Sequence, residues 1–173
     1  MPDGRTHHAI WKKAWPAAIL VSAAAVTLTR DPILAASIPI GYFLGRYLSP
    51  DLDLVGINDD EARAMRELKI FGAFFAAYFL VYAYLMRFVG IGRKGHRNFF
   101  SHFPIVSTAI RLAWVLAIPA AVIWWYRIEP QTWWWITLVG IFSGLTLADT
   151  MHWFADVTEH KLRKVWKSVF SHN

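Results

Sequence analysis

Seven residues with metal-ligating side chains are spread along the 173-residue chain, near the ends of its apolar stretches. They are four histidines and three aspartates: His7, Asp51, Asp53, His96, His102, His152 and Asp156. The chain has no cysteine, which excludes thiolate zinc sites, thiolate iron–sulfur clusters and cysteine nucleophiles. Any bound metal must therefore be held by imidazole and carboxylate groups.

The candidates near the end of the last apolar stretch have helical spacing. Asp149, His152 and Asp156 are spaced i, i+3, i+7, which places them within about 60° of one another around a helix. Ionisable groups next to hydrocarbon are costly unless they are paired or coordinated, so they are candidates for function. A hydrogen-bonded His–Asp pair without a metal is the alternative interpretation.

Three other segments carry candidate ligands. Ser49-Pro50-Asp51-Leu52-Asp53 sets two carboxylates two residues apart, and the proline favours an extended or turn geometry in which both can face one cation. A capping or solvated turn is the alternative. His96 and His102 precede Pro104, which suits the first turn of a helix; contact with lipid headgroups is their alternative role. His7 lies in a polar N-terminal segment.

Composition favours a membrane protein. The chain is 56% hydrophobic and 17% charged, with ten Trp, twelve Phe and six Tyr, and its mean hydropathy is +0.34. These values lie outside the usual range of soluble domains, and aromatic rings collect where helices leave the hydrocarbon. The net charge of +6 comes from basic residues that flank apolar segments. We therefore expect membrane lipids as partners and no nucleic acid.

The apolar pattern predicts an all-α, integral membrane helical bundle formed by one domain, residues 1–173. Five apolar stretches stand out, at residues 14–29, 33–47, 70–86, 104–126 and 130–154. They predict two transmembrane hairpins (14–47 and 104–155, four spans), a polar segment with an extra apolar helix between them (51–89) and a basic C-terminal tail (157–173).

The extra apolar helix, at 70–86, decides the topology. Its seventeen-residue uncharged run favours a fifth crossing. If it is instead interfacial or docked, fifteen of the eighteen basic residues fall on the same side as both termini. The positive-inside rule makes that side cytoplasmic. All seven candidate ligands would then lie at the cytoplasmic face.

Taken together, the segments resemble a known family of uncharacterised bacterial metal-binding membrane proteins, distantly related to predicted membrane-bound metal-dependent hydrolases. The resemblance rests on elements in the family's order: the opening 1–7, the Pro-Asp-x-Asp element at 49–53, the His-Arg to Ser-His block at 96–102 with Pro104, Ile105 and Thr108, and Met151-His152 with Asp156. Two features depart from it. Asn98 replaces a serine, and residues 54–95 are longer and more apolar than the expected linker.

The resemblance implies that the seven candidates are metal ligands and that the protein belongs to the bacterial inner membrane. Seven N and O ligands exceed the needs of one catalytic zinc and suit two divalent ions, with Zn, Mn and Fe all compatible. Such a centre is suited to hydrolysis of a phosphoester or lipid-linked substrate, with Arg97 as a substrate contact. The alternative is a non-catalytic, metal-stabilised subunit that contacts a membrane protein partner through its aromatic-rich helices.

Overall fold

The structure is a computed structural model that describes residues 4–45, 47–48, 59–74, 77–78, 81, 84 and 103–170. Within these residues the chain is all-helical, which confirms the predicted class. Five helices have defined bounds: α1 (Gly4–Thr29), α2 (Pro32–Leu44), α3 (Asp59–Leu68), α4 (Pro104–Tyr126) and α5 (Thr132–Phe170). The described residues of 70–84 are helical as well.

A short turn joins α1 to α2 as the sequence predicts. Arg30 takes a left-handed conformation with φ of 55° and ends α1. The Asp31 carboxylate then caps α2, where Oδ1 accepts hydrogen bonds from the backbone N–H of Ile33 at 2.9 Å and Leu34 at 3.0 Å. Pro32 occupies the first helical position, where its missing N–H costs nothing. The first hairpin is thus built by local chemistry.

The second hairpin turns at Arg127, which has φ of 52°. Pro104 opens α4, as predicted, with Phe103 at the N-cap. α5 differs from expectation because it does not end near Phe154. Residues 157–170 of the expected basic tail continue the helix. That stretch has no glycine or proline to stop it and contains Glu, Lys, Leu and Arg, which are good helix formers.

α2 and α5 run parallel and their backbones nearly touch. A Cβ added to Gly45 would lie 2.6 Å from Ala148 Cβ, and one added to Gly140 would lie 2.5 Å from Ser37 Cβ. Between these two contacts, Gly41 packs directly on the backbone of Ile141. Both helices therefore carry small residues four apart at their contact, the pattern that lets membrane helices approach closely.

α1 packs antiparallel to α2 across the same layer. Ser22 Oγ donates a hydrogen bond to the Ala35 carbonyl at 2.5 Å. Ala18, Tyr42 and Ala148 form a buried cluster that joins α1, α2 and α5. Because α4 is antiparallel to α5, the bundle has one end where α1 and α4 begin and α2 ends. We call this the ligand end.

The described part of the polar segment forms α3, which turns sharply into the apolar residues that follow. Lys69 has φ of 51° at this turn, and Gly72 lies so close to Ala64 that a Cβ added to it would be 2.6 Å from the backbone nitrogen of Met65. The next turns contact α4 through Trp114, whose ring lies 5.6 Å from those of Phe74 and Tyr78. The extra apolar helix therefore packs against α4 in its described part, a contact that both a docked and a spanning helix would make.

Two described segments are long and apolar enough to cross a membrane: α4 (Pro104–Tyr126) and Thr132–Ala155 of α5. α2 is apolar but has 13 residues, about 20 Å of helix at 1.5 Å per residue, which is short of a hydrocarbon core of about 30 Å. Of the four predicted spans, the two of the second hairpin are thus both long and apolar enough, and the four-span bundle is not confirmed.

Candidate metal centre

A buried ion pair joins the two long helices near the ligand end. Arg111 of α4 is 0% exposed and its Nη2 donates to Asp149 Oδ2 of α5, which is 3% exposed. Thr108 Oγ1 donates to the same carboxylate oxygen at 2.5 Å. Arg111 Nη1 donates to the carbonyl oxygen of Leu48, and its Nε donates to the Ser107 carbonyl at 3.3 Å. We call these five residues the Arg111 cluster.

Each member of the pair depends on the other. A charge removed from water costs several kcal/mol unless an opposite charge and hydrogen bonds compensate it. Here the guanidinium has partners on three chain segments, and the carboxylate receives two donors on one oxygen. Ser107 Oγ is also fully buried and has no hydrogen-bond partner within the described part of the chain. The cluster therefore retains capacity for one more polar contact.

The residues of the Arg111 cluster lie close in sequence to three of the segments that carry predicted ligands. Leu48 precedes Asp51 by three residues, and Pro104, at the start of α4, follows His102 by two. On α5, His152 comes three residues after Asp149, within electrostatic reach of that carboxylate. Arg111, on the helix that follows His102, thus contacts a residue three positions before Asp51 and another three positions before His152. It links the chain next to three of the four predicted ligand segments.

The seven predicted ligands are described to different extents. His7 lies in the first turn of α1, and Asp156 lies on α5, one turn beyond His152. Of these three predicted ligands, His152 has a described side chain, which is partly buried. α1 begins and α5 extends at the ligand end, so the structure brings the backbones of these three residues to the same end of the bundle. Asp51, Asp53, His96 and His102, together with Arg97, lie outside the described residues. Within the described part, no group of three or more His, Asp or Glu side chains forms a metal site.

The sequence grouped Asp149 with His152 and Asp156 but did not predict its partners. Its spacing with His152 and Asp156 suggested one face with three ligand-type groups, but its Oδ2 is engaged by Arg111 and Thr108. The available signal was Arg111 itself, a cation within an apolar helix that requires an acidic partner. Asp149 is the acid within the facing apolar helix. The glycines at 41, 45, 140 and 144 were also missed, although their four-residue spacing is a packing signal.

The donor chemistry fits a divalent metal. Imidazole and carboxylate are borderline and hard donors that suit Zn, Mn or Fe. His152 is partly buried one turn from an anionic residue fixed by Arg111 and Thr108, and metal-binding histidines commonly have carboxylates near them. Asp149 is therefore suited to support the ligands from outside the coordination shell.

These features define a class: an all-helical protein with a long apolar hairpin and a buried Arg–Asp pair one helical turn from His152. The family comparison is more specific. The chain belongs to the family described as uncharacterized metal-binding protein (DUF2227), whose model matches residues 2–166. This confirms the predicted metal-binding family. No curated protein and no solved structure matches the chain.

Proposed function

We propose that this protein is a multi-pass protein of the bacterial inner membrane that holds two divalent metal ions at its cytoplasmic face. We further propose that the centre hydrolyses a phosphoester, with a lipid-linked phosphate as substrate. Different features of the chain support the membrane placement, the convergence of the ligands and the chemistry of the centre.

Aromatic residues support the membrane placement. Around the α4–α5 turn, Trp124 is 78% exposed, Trp125 74% and Tyr126 71%. At the other end of the hairpin, Phe103 is 41% exposed and Phe154 is 53% exposed. Phe103 and Trp125 are about 33 Å apart along α4 at the helical rise. Two exposed aromatic belts at this separation match the two interfaces of a bilayer.

The Arg111 cluster is the observation that carries the proposed site. Arg111 lies about 12 Å along α4 from Phe103, a depth at which an ionisable side chain marks a functional site by default. It binds Leu48 and Asp149, which precede the predicted ligands Asp51 and His152 by three residues each. A chain of three residues spans at most about 11 Å. The cluster thus limits how far apart these two ligands can lie.

The proposed reaction follows from the ligand types and their depth. Bound divalent ions would lower the pKa of a coordinated water and stabilise charge on a phosphoryl oxygen. The chain supplies imidazole and carboxylate groups that hold such ions, and Arg97 in the adjacent segment supplies a guanidinium that binds phosphate in a bidentate manner. His152 is close along α5 to the exposed Trp153 and Phe154, which supports a site at headgroup depth, within reach of a lipid phosphate.

Elemental analysis of the detergent-purified protein tests the proposal. We expect about two Zn, Mn or Fe ions per chain, and their loss in the folded double variant His152→Ala/Asp156→Ala. Glu159→Ala/His160→Ala is the matched control, since it removes one acid and one histidine from the same helix outside the predicted set. Metal-loaded wild type is then assayed with p-nitrophenyl phosphate and with phosphatidic acid in mixed micelles.

The outcomes separate the candidate functions. Hydrolysis that is lost in the double variant and retained in the control supports the metal-dependent hydrolase. Stoichiometric metal without turnover of either substrate refutes the proposed activity and favours a metal-stabilised subunit. Protein purified without chelators that takes up no Zn, Mn or Fe refutes the metal centre.

A further inference from the structure

Arg111 makes contacts that its charge does not require. Its pairing with Asp149 compensates the two buried charges, yet Nη1 also donates to the Leu48 carbonyl. Leu48 is 4% exposed and lies four residues beyond the end of α2. Its backbone N–H donates to Leu44 O at 3.1 Å, so this residue is fixed through both its N–H and its carbonyl.

The shape of the guanidinium explains how one side chain serves three segments. Arginine presents five N–H donors in a rigid planar fork, whereas a lysine ammonium is a point charge. In this fork, Nε binds the Ser107 carbonyl, Nη1 the Leu48 carbonyl and Nη2 the Asp149 carboxylate. The planar geometry therefore fixes the chain after α2 relative to both α4 and α5.

We propose that Arg111 is a positioning residue for the metal centre, which fixes Leu48, three residues before Asp51, relative to Asp149 and His152 on α5. This inference rests on the proposed function for its role in metal binding, but the anchoring of Leu48 stands on the contacts alone. Arg111 acts from outside the coordination shell, through the chain that carries Asp51 and Asp53.

The variant Arg111→Lys separates positioning from charge compensation. Lysine keeps a cation beside Asp149 but cannot reproduce the planar fork that also reaches Leu48 and Ser107. We expect zinc affinity, measured by competition with a chelator, to fall about 10- to 100-fold, the usual effect of losing a residue that orients ligands. Thr150→Val is the matched control. It removes the hydrogen bond from Thr150 Oγ1 to Thr146 O on α5 and should bind zinc as wild type does.

A second measurement does not depend on metal. The chain has no cysteine, so Leu52→Cys/Phe154→Cys gives a clean pair of spin-label sites, and Phe154 is 53% exposed. Without added metal, double electron–electron resonance should give a narrow distance distribution between the labels. Adding Arg111→Lys should broaden it, whereas adding Thr150→Val should leave it narrow.

The two measurements distinguish failure of this inference from failure of the proposed function. Weaker zinc binding together with a broader distance distribution supports the positioning role. An unchanged distribution in Arg111→Lys overturns it, whatever happens to zinc binding, because the segment is then held by other means. If wild type binds no metal, the proposed function fails, but a broadened distribution still supports the anchoring by Arg111 of the chain at Leu48.

Discussion

α5 uses two different kinds of contact on two of its faces. Toward α2, Gly140 and Gly144 allow backbone to lie against backbone, and any added side chain would collide. Toward α4, Asp149 binds the buried Arg111 through charge and hydrogen bonds. The first contact specifies distance by shape alone. The second specifies which residues meet, because a buried charge is tolerated only beside its partner.

This difference suits the task of each interface. A close small-residue contact gives dispersion energy without polar groups and fixes how α2 and α5 lie against each other. An ion pair adds little net stability, but its loss on one side is severe. We therefore expect the α4–α5 contact to be more sensitive to single substitutions and more readily restored by paired ones.

The largest effect is expected from Arg111→Met. This change leaves Asp149 buried without its cation, which should lower the free energy of unfolding by about 3–5 kcal/mol. Urea or SDS titration of the detergent-solubilised protein, followed by circular dichroism, measures it. Adding Asp149→Leu should recover most of the loss, because no unpaired charge remains. A double variant as unstable as Arg111→Met would show that the pair is not the source of the effect.

Gly144→Ala should be the next most damaging change. The new Cβ would lie 2.7 Å from the Tyr42 backbone nitrogen and closer still to Ile38, and backbone cannot move aside as a side chain can. We expect a loss of about 2–3 kcal/mol, typical of overpacking, in the same unfolding titration. Ala36→Val on the exposed face of α2 is the control. Equal stability of both variants would contradict the close α2–α5 contact.

Thr108→Val should have a smaller effect. It removes one of the two described donors to Asp149 Oδ2 while leaving Arg111 in place. A hydrogen bond to a charged group contributes at least about 1.5 kcal/mol. We expect the free energy of unfolding to fall by about that amount. Thr108→Ser keeps the hydroxyl and should be closer to wild type, and a serine variant as unstable as the valine variant would assign the effect to packing instead.

The smallest effect is expected where α4 meets the extra apolar helix. Trp114→Leu removes two aromatic contacts and the hydrogen bond from Nε1 to the Phe74 carbonyl, together about 1 kcal/mol. Arg66 and Lys69 are exposed trypsin sites just before that helix. Their cleavage should be faster in this variant and unchanged in Trp124→Leu, whose ring is largely exposed. Unchanged cleavage in both would mean that Trp114 does not hold the segment.

Much of the fold was predictable because local chemistry decides it. The turn at Arg30, Asp31 and Pro32 combines a left-handed residue, a side-chain cap and a proline, and each acts within four residues of the next. Pro104 fixed the start of α4 in the same way. The end of α5 was placed too early, since the change from apolar to charged residues marks a change of solvent and not a helix stop.

The candidate site was predictable in part, for a physical reason. Residue type shows that His and Asp can bind metal, and the family match over residues 2–166 agrees with that chemistry. Residue type does not show which carboxylate is used for another purpose. Asp149 shares a helix face with His152, yet it pairs with Arg111, and that pairing depends on how α4 lies against α5.

The sequence by itself determined the helical class, the positions of both hairpin turns and the absence of thiolate chemistry. These follow from composition and from interactions within a few residues. Only the tertiary structure decided that α2 lies against α5 through glycines, and that Arg111 connects Leu48, Ser107 and Asp149. Contacts between residues 38 and 63 positions apart depend on the packing of whole helices; the glycine spacing and the buried arginine signal such contacts but do not specify all the partners.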